Sequence, residues 1–163
     1  MEQGKMFLTI AAVVVVGIII QVILIGADTM STPGKTVIKF TRAYFNLDRS
    51  MSKYMCSEFA TEEDVDAATE YINRMADEAK TLGFSLNYMK STLYAVHTDI
   101  IAKSEGEAQV RITAVRKRNI NPIYTIVGKL FFIGETYELE ETLNVIKEDG
   151  QWKICGQAFA LTT

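Results

Sequence analysis

The apolar period of this chain changes near Ser85, from the helical 3.6 residues to the 2 of a strand, and that change fixes the class of fold it can adopt. Before it, Val37, Phe40, Tyr44 and Phe45 form a stripe along Lys35 to Asn46, and Met51 to Phe59 reads as a short second helix or turn. A third helix carries a seam of Val65, Ala68, Ile72, Met75, Ala79 and Leu82, with Thr61 as its N-cap and Gly83 as its stop. After it, Thr92, Tyr94, Val96, Thr98, Ile100 and Ala102 alternate along one strand and Ala108, Val110, Ile112 and Ala114 along a second. Tyr137, Leu139, Leu143 and Val145 mark another, Glu148-Asp149-Gly150 is a turn, and Trp152 to Phe159 closes the sheet. Helices first and a run of antiparallel strands afterwards give an α+β layout, with the helices on one face of a curved sheet.

Ahead of this body, Met6 to Ala27 is a run of 22 residues without a charge. As one helix it would span ~33 Å, close to the ~30 Å of a bilayer's hydrocarbon core, and it exceeds the apolar stretch of a cleaved secretory signal. The expectation is therefore a single-pass protein of the cell membrane. It has a flank at 1–5, a transmembrane helix at 6–27, a linker at 28–34 and a soluble domain at 35–163. The flank of five residues suits a signal anchor that exports the domain behind it, so that domain is expected outside the cytoplasm, although Lys35, Lys39 and Arg42 argue for the other side. Val13, Gly17 and Gln21 share one helical face that suits a neighbouring helix, because glycine admits close approach and an amide seeks a partner in hydrocarbon.

After Ala27, sixteen Lys and Arg stand against nineteen Asp and Glu, a balance that argues against general nucleic-acid binding. Cys56 and Cys155 are 99 positions apart with no CxxC spacing, so a metal site or a thioredoxin-like motif is not expected. Two readings stay open for them: a disulfide closing a long loop, or two buried thiols.

The three N-terminal helices, the long strands and the closing hairpin Glu148-Asp149-Gly150-Gln151-Trp152-Lys153-Ile154-Cys155-Gly156 resemble the nuclear transport factor 2-like cone fold, shared with ketosteroid isomerase and many small bacterial accessory domains. The resemblance runs from Lys35 to about Phe159. It implies about three helices packed on a curved, mainly antiparallel sheet with a concave pocket, in which isomerase-like members use a buried carboxylate base opposite Tyr or Asp donors.

His97 and Asp99 share one strand face near Tyr94, and a His two residues from an Asp can orient a general base. That face is the more polar one, so no catalytic residue is assigned. A single His cannot build a His-rich metal site. Glu138 and Glu140 lie opposite Leu139, on what strand periodicity makes the solvated side. The segment Arg116 to Gly134 sets Arg116, Lys117, Arg118 and Lys129 among apolar residues that include Phe131 and Phe132. Positive charge beside aromatics suits an acidic partner protein or a lipid headgroup layer, and a central strand buried on both faces reads the same way.

The sequence thus leads to the expectation of a non-enzymatic, membrane-anchored accessory or scaffold subunit that works through contacts with other membrane proteins. No cofactor, metal or nucleic acid is expected. Two alternatives stand beside it: an assembly component of a type IV secretion-like machine, and a small-molecule-binding protein or enzyme that uses the cone pocket.

Overall fold

The computed structural model describes residues 12–21, 31–59, 67–118, 136–159 and 161. The chain divides into two compact units, Met1–Ser31 and Thr32–Thr163.

In the first unit, α1 is described over residues 12–21. Ten helical residues rise ~15 Å, half of what a bilayer core requires. Among the described residues no helix is long and apolar enough to cross a membrane. The expected transmembrane helix at 6–27 is thereby overturned, and with it the single-pass membrane location and the anchored half of the expected fold. A crossing takes about 20 consecutive apolar helical residues, and the described helix holds ten. Val13 is 67% exposed, Gln21 is exposed, and a Cβ built on Gly17 meets nothing within 4 Å. The remainder of 6–27 lies outside the described residues.

The second unit is α+β. Helix α2, Pro33–Phe45, begins where Thr32 turns its hydroxyl to accept from the Lys35 amide at 3.3 Å, and Pro33 fills the first turn, where its missing N–H costs nothing. It buries Val37, Phe40, Thr41, Ala43, Tyr44 and Phe45. Asp48 then caps a 3-10 turn, Arg49–Tyr54, by accepting from the Ser50 amide at 2.8 Å, and a second short turn spans Ser57–Phe59. Helix α3, Ala67–Thr81, buries Ala68, Tyr71, Ile72 and Ala79. The seam expected there therefore gains Tyr71 and loses Leu82, which is 55% exposed past the helix end; Val65 and the expected Thr61 cap lie outside the described residues.

Strands β1 (Ser91–Lys103), β2 (Glu107–Arg118), β3 (Thr136–Glu148) and β4 (Gln151–Ile154) pair in that order, each antiparallel to the next. The β3–β4 turn is Asp149-Gly150 with φ of 49° and 77°, the left-handed pair that a two-residue hairpin demands. Ala108, Val110, Ile112 and Ala114 of β2 are buried on the helix-facing side with Leu143 and Val145 of β3. In β1 the expected alternation breaks. The register slips between Tyr94 and His97, where Ala95 takes φ 48°, so Ser91 and Leu93 face inward before the bulge and Val96 and Thr98 after it. A bulge inserts one residue and moves every later side chain to the other face, a shift that period-2 counting cannot register.

Two ties close the unit at its far end. The Thr36 hydroxyl donates to the Trp152 carbonyl at 3.2 Å, joining α2 to β4. Cys56 and Cys155 form a disulfide with Cα atoms 5.4 Å apart, so of the two readings open in the sequence the structure takes the bonded one.

Candidate functional site: an arginine–aromatic cluster

Strand alternation sorts the basic triplet at the end of β2. Arg116 and Arg118 belong to the helix-facing side with Ala114, whereas Lys117 belongs to the outer side, paired with Thr92 and Thr136. Lys129, Phe131 and Phe132, expected to share this surface, lie outside the described residues.

Arg116 is half-buried, and three neighbours hold it. Its Nε donates to the buried Ser91 Oγ at 3.1 Å, and its guanidinium carbon lies 5.0 Å from the ring centre of Phe45 and 5.9 Å from that of Tyr137. Stacking on a ring uses the face of the guanidinium and leaves its edge donors for a carboxylate or phosphate. Arg118 repeats the arrangement 5.4 Å over Tyr88, whose ring stacks on Phe84 at 4.1 Å. Phe84 is 50% exposed, so this half of the cluster is open to solvent. Among the described residues neither arginine forms an ion pair; the pair found there is Arg111 Nε with Glu140 Oε1 at 3.5 Å, out on the sheet's other face.

Behind Arg116 lies a wall of stacked rings. Tyr44 lies 4.5 Å from Tyr71 and 4.7 Å from Phe159, and Arg74 caps Tyr71 at 5.6 Å. Burial pushes the Tyr71 phenol well above the ordinary tyrosine value, and its hydrogen bond to Tyr44 adds to the shift; Arg116 and Arg74 oppose it. The Tyr71 phenol is therefore a neutral hydrogen-bonding group beside a fixed cation. Such an array can bind an anion.

The residues weighed for catalysis are placed elsewhere. His97 and Asp99 are exposed on the outer face of β1, opposite Thr113 and Arg111, and Tyr94 is 55% exposed. They line an open sheet face and do not meet the cluster's arginines. From the sequence, Tyr88 reads as a phenol donor for a cone pocket and Arg74 as a water-facing residue of the third helix, and neither Tyr71 nor Phe84 stands out. The signal available was the four-residue spacing of Phe84 and Tyr88, beside arginines two apart on one strand face.

At the opposite end of the sheet, a groove of about 810 Å³ is lined by Glu58, Lys103, Glu107, Gln109, Asn144 and Cys155 among others. Ligand atoms of Cys56, Glu58 and Cys155 all lie within 4.8 Å of one another. While the sulfurs are bonded together they offer no thiolate to a metal.

No family model and no curated protein matches this sequence.

Proposed function

We propose that the Thr32–Thr163 unit is a non-enzymatic binding module of the nuclear transport factor 2-like kind, an accessory or scaffold element that engages an acidic segment of a partner protein through Arg116 and Arg118. The observation that carries this reading is Arg116 itself: a half-buried guanidinium, fixed by Ser91 and two rings, with no carboxylate partner among the described residues. A half-buried charge gains stability from a ligand that supplies a counter-ion. The flanking Arg118–Tyr88–Phe84 stack adds a second cation and exposed ring surface, the mixture of Arg and aromatics that protein interfaces concentrate. The cone assignment is supported by the layout, in which α2 packs against a four-stranded antiparallel meander. The non-enzymatic reading is supported by the exposure of His97 and Asp99 on the far face of the sheet.

The test is fluorescence anisotropy with a labelled oligoglutamate peptide, with an oligolysine peptide and phosphatidylserine vesicles as the other arms. Oligoglutamate is expected to bind with an affinity that falls as salt rises, since the rim is exposed. Arg116→Gln with Arg118→Gln should weaken it by at least roughly tenfold, from the loss of two charge-assisted contacts. Binding to vesicles alone, or binding unchanged in the double variant, overturns the reading.

A further inference from the structure

We propose that reduction of the Cys56–Cys155 disulfide opens a site for a thiophilic divalent cation of the zinc(II) class, held by Cys56 Sγ, Cys155 Sγ and a Glu58 carboxylate oxygen, with a fourth position facing the groove. The donor set is already assembled. Its three ligand atoms fall within 4.8 Å of one another, and Glu58 Oε2 lies 3.3 Å from Cys155 Sγ. Tetrahedral zinc with sulfur at ~2.3 Å and oxygen at ~2.1 Å sets ligand atoms roughly 3.5 Å apart. The carboxylate is thus at ligand spacing from one sulfur, and the sulfurs need only part from bonding distance.

What keeps the thiols facing each other after reduction is the backbone, which is tied down independently of the S–S bond. The Cys56 amide donates to the Ile154 carbonyl at 2.8 Å and the Cys155 amide to the Asn144 carbonyl at 3.0 Å. The residue between Cys56 and Glu58 is pinned as well: Glu148 accepts from the Ser57 amide at 3.1 Å and from its hydroxyl at 2.7 Å. Cys56 is buried at 1% exposure, while Cys155 and Glu58 line the groove, so a cation has an entry path and the open position a solvent side. Two thiolates and a carboxylate within this distance carry three negative charges that repel unless a cation sits among them. The pair's 99-residue separation hid the site from motif spacing.

The chemistry balances with a phosphine reductant. The phosphine takes oxygen from water as its phosphorus is oxidised, and two electrons and two protons convert the disulfide to two thiols. Metal binding then releases the thiol protons to solvent.

The experiment is calorimetric titration of zinc(II) alone into the full chain, reduced with phosphine or left oxidised, for the native sequence and for Glu58→Gln. One equivalent is expected to bind the reduced chain and none the oxidised one, and Glu58→Gln should bind at least roughly tenfold more weakly. Thermal melts of the same samples guard against misreading a folding defect. Zinc(II) should raise the midpoint of the reduced chain only, and if reduction alone unfolds it, zinc(II) must restore its circular dichroism. No binding to the reduced chain, equal binding to the oxidised chain, full affinity in Glu58→Gln, or failure to restore a lost fold each overturns the proposal.

Discussion

Arg116 and Ser91 are bonded side chain to side chain across the first two strands, Nε to Oγ at 3.1 Å, diagonal to the Leu93–Arg116 pairing. Ser91 is 2% exposed, so its hydroxyl serves a fixed cation in a place water does not reach. Ser91→Ala is expected to weaken oligoglutamate binding by roughly three- to tenfold and to lower stability by ~1.5–3 kcal/mol, the usual range for a hydrogen bond to a charged group. Anisotropy and urea unfolding measure the two effects separately.

The disulfide ties the turn after α2 to the residue just past β4, and its loop is long. In the chain-entropy account such a crosslink stabilises by ~2–5 kcal/mol. Without metal, reduction should therefore lower the thermal midpoint by roughly 8–20 °C for a unit of this size. Calorimetry with and without phosphine checks it.

Tyr71 gives the unit an alkaline limb. Its folded pKa lies above the unfolded value of 10.0, chiefly because burial disfavours the phenolate and secondly because of the bond to Tyr44. The unfolded state then loses its proton first. The stability from this group is complete below about pH 10 and is lost as pH rises beyond it. Tyr71→Phe should flatten the decline in midpoint above pH 10, while costing ~1 kcal/mol near neutrality for the Tyr44 bond. Thermal melts over an alkaline pH series measure both.

Thr41 sits at 0% exposure on α2, and its Oγ1 has no hydrogen-bond partner among the described residues. A buried hydroxyl without a partner is destabilising, and valine has nearly the same shape. Thr41→Val is expected to raise stability by ~1 kcal/mol, read from the urea midpoint at unchanged slope.

Legibility followed periodicity. Ala108, Val110, Ile112 and Ala114 are inward on β2 as their alternation indicates, and the Asp149-Gly150 turn stands where its residues demand φ above zero. Tyr94 is exposed where alternation would bury it, because the bulge at Ala95 is decided by pairing with β2 and leaves no mark in composition. Over 6–27 the uncharged run points to a bilayer crossing, whereas among the described residues no helix is long and apolar enough for one. In the cluster, Arg116 and Arg118 were visible as a basic pair. The rings that hold them come from α2, the 3-10 turn at Leu86–Tyr88 and β3, contacts that only tertiary packing creates.

The central claim is that Arg116 is a receptor for a partner's carboxylate. Heteronuclear NMR of the arginine Nε–Hε groups during titration with oligoglutamate tests it most directly. The account predicts a saturable shift of the Arg116 resonance, with a smaller one at Arg118 and none at Arg111, which already faces Glu140. An Arg116 resonance that stays fixed while others move would contradict it.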